Sequence, residues 1–160
     1  MAFKLSKRSM TRMEGIRPDM ISIVTEAIKH TSVDFGVTCG MRTIEQQREL
    51  VRTKRSQTMK SKHLTGLAVD VVAYFGKEVS WEGAVYDDIA DAFKAASKKL
   101  GIPVRWGGAW HINDIAAFKG SMEDATNEYV DLRRSQGKRP FFDGPHFELS
   151  GQNALDSSYA

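Results

Sequence analysis

Four residues of types that bind metal ions or move protons, His63, Asp70, Asp143 and His146, fall in two short segments of this chain. His63 and Asp70 stand seven apart, with Leu64, Thr65, Gly66, Leu67, Ala68 and Val69 between them. On a continuous helix their side chains would be about 10.5 Å apart along the axis, and on a continuous strand they would point to opposite faces. Neither geometry lets them share one ion, whose nitrogen and oxygen ligands lie at about 2.0–2.2 Å from it. Gly66 offers a way out, because a glycine adopts positive φ and can fold His63 back onto a strand that carries Asp70. Asp70 interrupts an apolar run, Ala68, Val69, Val71 and Val72, so its carboxylate either faces solvent or is held by a partner. In the second segment, Asp143, Gly144, Pro145 and His146 read as a tight turn entering a strand. Two imidazoles and a carboxylate, His63, Asp70 and His146, would make a three-ligand site with an open position, the catalytic type of zinc site. Asp143 would then be free to take a proton from water activated by the ion. On residue types alone a blander reading stands beside this one, with His146 a strand-end histidine and Asp143 a turn former.

The elements that must position these groups are legible in outline. Pro18 suits a first helical turn, and Met20, Ile23, Val24, Ala27 and Ile28 recur at helical spacing after it. Residues 35–40 read as a short strand ending in a turn. Thr43, with Gln46 three residues later, predicts a capped helix through about Arg55. Ala68 to Phe75 is rich in β-branched and aromatic residues and predicts a strand. Val85, Ile89, Ala92, Phe93, Ala96 and Leu100 form a helical stripe that Gly101 is placed to end. A strand over Ile102 to Trp106, a helix over Met122 to Arg134 and a last strand over His146 to Leu149 complete the set. Helices and strands mix without strict βαβ alternation, so the expected class is α+β, a small, largely antiparallel sheet with flanking helices.

Composition narrows the function classes. With 160 residues, 41% hydrophobic and 27% charged, the chain reads as one globular domain over 1–160, and neither disorder nor a fibrous repeat fits. A single cysteine, Cys39, permits no internal disulfide and no cysteine-rich zinc cluster. A net charge of +3 is mild for a nucleic-acid binder. The densest basic stretch, Arg48 to Lys62, reads as a solvated helix face running into a loop. No segment has the length of a membrane span, and the first residues lack the apolar stretch of a signal peptide. The expectation is a soluble protein without stable membrane association or nucleic-acid partner.

Ser61, His63, Gly66, Ala68 and Asp70, followed far downstream by Asp143, Gly144, Pro145, His146 and Glu148, carry a family pattern. It resembles the zinc peptidases that include bacterial D-Ala-D-Ala carboxypeptidases, vancomycin-resistance D,D-peptidases and phage L-alanyl-D-glutamate endolysins. The segment from Val37 to Gln47, with Gly40, Arg42 and Thr43, is similar to the family's Gly-x-Arg-(Ser/Thr) stretch. Arg105 to Trp110 resembles its Trp-Gly-Gly-x-Trp turn, and Leu5 to Ile28 resembles the opening helix of short phage and prophage endolysins. The resemblance implies the hedgehog and D-Ala-D-Ala-peptidase type of fold, with one zinc ion (Zn2+) held by His63, Asp70 and His146. It implies Asp143 as the catalytic acid/base and Arg42 near the substrate carbonyl, where a fixed guanidinium stabilises a developing oxyanion. Ser61, Trp106 and Trp110 are the candidates for substrate contact. His30 and His111 match no motif and are taken as structural or surface residues.

Two departures bear on specificity. Many relatives carry an aspartate where this chain has Ala109, and about thirty residues, 111–140, are inserted relative to short relatives. That insertion is expected to cover one side of the cleft. The resemblance, with no export signal visible, implies a phage or prophage endolysin that cuts peptidoglycan stem peptides, most simply at the L-alanyl-D-glutamate bond. It would act as a monomer, wait in the host cytoplasm, and reach the periplasm and cell wall by holin-assisted release. A D-Ala-D-Ala carboxypeptidase or dipeptidase on the same fold, and a non-catalytic zinc-containing binding domain, are the alternatives.

Overall fold

A computed structural model of the chain describes residues 2–151; Met1 and 152–160, the ends of the 1–160 domain assignment, lie outside the described residues. Its centre is an antiparallel sheet built from β1 (Asp34–Cys39), β2 (Ala68–Phe75), β3 (Glu78–Ser80), β4 (Val104–Trp106) and β5 (His146–Leu149). The order is β1-β2-β5-β4, with β3 folded back as a hairpin on β2. Alternation along each strand sorts the side chains onto two faces. Val69, Val71 and Ala73 of β2, Phe147 and Leu149 of β5, and Val104 and Trp106 of β4 join one buried core. Asp70, His146, Glu148 and Arg105 are out of phase with them and populate the opposite face.

Helices cover the apolar face. α2 (Pro18–His30) and α4 (Gly83–Leu100) pack against each other and bury Met20, Ile23, Val24 and Ala27 from one, Ile89, Phe93 and Ala96 from the other. Phe147 stacks on Phe93 at 3.7 Å between ring centroids, with Trp106 at 6.3 Å on its other neighbour distance. Each such fully buried apolar side chain contributes about 1.5–3 kcal/mol. α1 (Lys7–Arg12) lies on β1, where Ser9 Oγ accepts from the Val37 amide at 2.9 Å. α3 (Ile44–Arg52) starts with the expected capping box of Thr43 and Gln46 but ends three residues before Arg55. Lys54 takes φ 62°, and the amides of Arg55 and Ser56 both turn back to Leu50 O, so the chain leaves the helix there. The stretch from Leu5 to Ile28, likened to one opening helix, is divided into α1 and α2 by residues 13–17 ahead of Pro18, and β3 is a three-residue strand too short to show an apolar period.

The inserted residues do not cover the cleft. α5 (Met122–Ser135), opened by a Ser121–Asp124 capping box, packs its Met122, Ala125 and Tyr129 onto α4, because that is where its apolar stripe finds burial. Its link to the site is indirect. Tyr129 Oη donates to Phe141 O and accepts from Phe141 N, each at 3.1 Å, pinning the segment that leads to Asp143.

Candidate active site

The polar face of the sheet gathers the site in one cross-strand row. Asp70 is paired directly with His146 across β2 and β5, and with Cys39 across β2 and β1. Side chains directly opposite one another on antiparallel strands share a face and touch. A bulge between Val37 and Cys39 breaks the β1 register and sets Cys39 opposite Asp70. His63 arrives from outside the sheet, on a short 3-10 turn, Lys62–Thr65, closed by Gly66 at φ 74°. The fold-back required by the seven-residue spacing is therefore made at the glycine. The turn is tied down by Arg42 N donating to His63 O at 3.0 Å and by His63 Nδ1 against Gly40 O at 2.8 Å.

These contacts bring the predicted groups together. His63 Nε2 lies 3.3 Å from Asp70 Oδ2, and His146 Nδ1 lies 3.2 Å from Asp70 Oδ1. Donor atoms of Asp70, Asp143 and His146 lie within 4.8 Å of one another, as do those of Cys39, His63 and Asp70. Ligands at about 2.0–2.1 Å around a tetrahedral ion are separated by roughly 3.3 Å, close to the two imidazole–carboxylate distances. His63 is only 2% exposed, and its Nε2 faces the Asp70 carboxylate without making a hydrogen bond of good geometry. Cys39, His63, Asp70 and His146 thus form a possible metal site, and its nitrogen and oxygen donors suit a divalent ion of borderline softness such as zinc. Cys39 stands 3.8 Å from Nδ1 of His63, the nitrogen turned away from Asp70, and accepts from Arg42 Nη2 at 3.5 Å. It sits behind the imidazole, beside the guanidinium.

Charge in the metal-free site is balanced internally. Burial opposes charge on both histidines, but the Asp70 carboxylate between them, with help from Cys39 beside His63 and from Glu148 beside His146, holds His63 at about 10 and His146 at about 9. Burial likewise opposes charge on Asp70, and the two imidazoles overrule it, holding its carboxyl well below the usual range. Asp143 goes the other way. Burial first, then the charge of Asp70, raises its pKa against the pull of His146, His63 and Arg42. Its carboxylate has no hydrogen-bond or ion-pair partner among the described residues.

The turn that carries Asp143 is held by the Trp-Gly-Gly segment. Asp143 N donates to Gly107 O at 2.8 Å, Gly107 N donates to His146 O at 2.9 Å, and Trp106 Nε1 donates to Gly144 O at 2.7 Å. A Cβ at position 107 would stand 2.1 Å from Asp143 O, so only glycine lets the two backbones approach. Trp106 itself is 0% exposed and lines no part of the cleft. The expectation that it contacts substrate is corrected: on β4 it points into the core, while its indole N–H braces the Asp143 turn. Trp110 does line the cleft, 5.3 Å from the His146 ring and 6.2 Å from Phe141, with the Arg105 guanidinium above it.

Arg42 enters the cleft with its guanidinium constrained. Nη1 donates to Gln47 Oε1 at 2.8 Å and to Ser61 Oγ at 3.4 Å, and Nη2 lies 3.6 Å from Asp70 Oδ2. Ser61 also accepts from His63 N at 3.2 Å, so it orients both residues. Gln47 is fully buried and anchors the arrangement by donating to Ser56 Oγ and Thr58 O. Sequence reasoning did not single out Gln47, Cys39 or Lys62, although a glutamine on the inward side of α3 was a visible signal. The cleft measures about 710 Å³ and is lined by Arg42, Ser61, His63, Asp70, Trp110 and Asp143 among others.

A sheet face that assembles two imidazoles, two carboxylates of opposite pKa drift and a fixed guanidinium in an open cleft is the make-up of a hydrolase. The chain belongs to the phage L-alanyl-D-glutamate peptidase family, whose sequence profile matches residues 1–150. The L-alanyl-D-glutamate peptidase of Escherichia phage T5 is 29% identical over 153 residues, covering 93% of this chain and 99% of that protein. The L-alanyl-D-glutamate peptidase of Listeria phage A118 is 47% identical over 70 residues, which is 44% of this chain and 24% of that protein. The crystal structure of the L-Ala D-Glu endopeptidase ChiX from Serratia marcescens shares the fold, with a TM-score of 0.70 and 34% identity over 94% of this chain and 93% of that one.

Proposed function

We propose that this protein is a phage or prophage endolysin, a zinc-dependent peptidase that hydrolyses the L-alanyl-D-glutamate bond of peptidoglycan stem peptides. The observation that carries it is Asp70 flanked by His63 and His146, at 3.3 and 3.2 Å, with Asp143 unpartnered beside them and Arg42 3.6 Å from the same carboxylate. His63, Asp70 and His146 would hold one zinc ion; when bound, it supplies Lewis acidity to the scissile carbonyl and to a water. Asp143, its carboxyl raised by burial and by Asp70, takes the proton of the attacking water and passes it to the leaving amine of the D-glutamate. Arg42, held by Gln47 and Ser61, donates to the oxygen on which negative charge develops. Trp110 and Phe141 form the apolar wall against which the stem peptide lies. Ser61 acts through Arg42 and His63, whose guanidinium and backbone amide it accepts from.

The whole of 1–160 is read as a single catalytic unit acting as a monomer. No helix among the described residues is long and apolar enough to cross a membrane, in keeping with release to the wall through a holin. The test is mass spectrometry of murein digested by the purified protein. New amino-terminal D-glutamate is the expected product. Release of free D-alanine alone would move the assignment to a carboxypeptidase, and no product at all to a binding domain.

A further inference from the structure

Glu148 is 5% exposed on the polar face of β5 and none of the steps above uses it. Its Oε1 lies 2.8 Å from His146 Nε2, and its Oε2 lies 2.7 Å from Lys62 Nζ. Lys62 also donates to Leu149 O at 2.9 Å. Lys62 immediately precedes His63, and Glu148 follows His146 by two residues, so this ion pair joins the two histidine-bearing segments. The sheet already fixes Asp70 against His146 by register. It does not fix His63, which stands on a turn outside the ladder.

We propose that Glu148 and Lys62 are positioning residues that set the tautomer of His146 and brace the His63 turn against β5. A neutral imidazole carries one N–H, and a carboxylate offers only acceptors. Both ring nitrogens of His146 face carboxylates, Glu148 at 2.8 Å and Asp70 at 3.2 Å. The proton of the neutral ring goes to the closer and more buried oxygen, on Glu148, which leaves the Nδ1 lone pair on the side of Asp70 and Asp143. Lys62 keeps that buried carboxylate compensated, since a buried charge without a partner is strongly disfavoured. Glu148 is therefore an orienting group of the kind that stands behind metal-ligating histidines, and the proton shuttle is Asp143. The proposal rests on the reading of His63, Asp70 and His146 as metal ligands.

The experiment measures zinc affinity by competition with a chelating indicator, and the His146 ring state by 15N chemical shifts, in the wild-type protein and in E148A, K62M and K62R. In the zinc-loaded wild type, Nε2 should carry the proton and Nδ1 should show the metal-shifted resonance. E148A should bind zinc about 10–100-fold more weakly, the usual effect of losing such a partner, and should lose the single ring state. K62M should weaken zinc in the same direction, and K62R should restore affinity to within about threefold, because it keeps the charge. E148A folded, with wild-type affinity and ring state, would overturn the proposal. Should E148A not fold, K62M decides, and wild-type affinity in that variant overturns it equally. A wild-type protein that takes up no zinc is a separate result, which removes the metal reading before any substitution is made.

Discussion

At the scale of single residues, the site separates two carboxylates that look alike in sequence. Asp70 lies between two imidazoles and stays ionised, while Asp143 has no partner and is pushed toward protonation by burial and by Asp70. A ligand and a proton carrier need opposite tuning, and the environment supplies it. D143A should therefore keep zinc and fold, with kcat lowered ~10²–10⁴-fold, the usual contribution of a positioned acid/base. D70A should lose metal and activity together; metal analysis beside steady-state kinetics tells the two apart, and the reverse pattern would mean the roles are exchanged. Gln47 makes a second residue-scale prediction. Because its carbonyl holds Arg42 and its amide holds 56–58, Q47A should release the guanidinium and lower kcat/KM on the order of 10–10²-fold. The loss should fall on kcat more than on zinc content, since Gln47 touches no proposed ligand.

At the scale of elements, most of the positioning is done by two turns clasped together. The Trp106–Gly107 turn and the Asp143–His146 turn exchange three hydrogen bonds, Trp106 Nε1 to Gly144 O, Asp143 N to Gly107 O and Gly107 N to His146 O, and His146 N to Asp143 O closes the second turn on itself. Gly107 is the point of closest approach, with room for a hydrogen and no methyl group. G107A should destabilise the protein by about 1–3 kcal/mol, the range for overpacking, and should displace Asp143. Chemical denaturation gives the first, and the ratio of activity loss to zinc loss gives the second. A G107A variant with wild-type stability and turnover would show that the clasp is looser than its distances imply.

At the scale of the whole molecule, the sheet divides labour between its faces, the helices burying one and chemistry occupying the other. The far side of the helical layer carries a tuned group of its own. Asp87 on α4 is raised from 3.8 to about 6, by burial first and then by Glu123, Asp88 and Asp91, and its Oδ1 has no hydrogen-bond partner. Its native pKa lies above the unfolded one, so its contribution favours folding at pH near 4 and is lost as pH rises through about 6. D87N should therefore be more stable than the wild type at pH 7 and gain nothing at pH 4. Urea unfolding at the two pH values measures this, and an equal gain at both would assign the effect to packing. Asp91 is the control to leave intact, because its Oδ1 accepts from Met122 N at 2.8 Å and caps α5.

Much of this was legible in residue order, for identifiable reasons. Apolar period marked α2, α4 and α5, β-branched composition marked β2, and the Thr43–Gln46 pair marked the start of α3, because these signals are local. The motif residues themselves, His63, Asp70, Asp143, His146 and Arg42, were visible by type, and Gly66 announced that the chain must fold back after His63. What residue order could not contain was pairing. Only the register of β2 with β5 and β1 places Asp70 opposite His146 and Cys39, residues 76 and 31 positions away in the chain. The same holds for Trp106, whose type suggested a cleft wall but whose strand phase turns it into the core. It holds again for the inserted helix, which seeks the apolar surface of α4 and not the cleft. Local propensity names the elements and the reactive groups. Which face each group shares, and with whom, is decided by long-range packing alone.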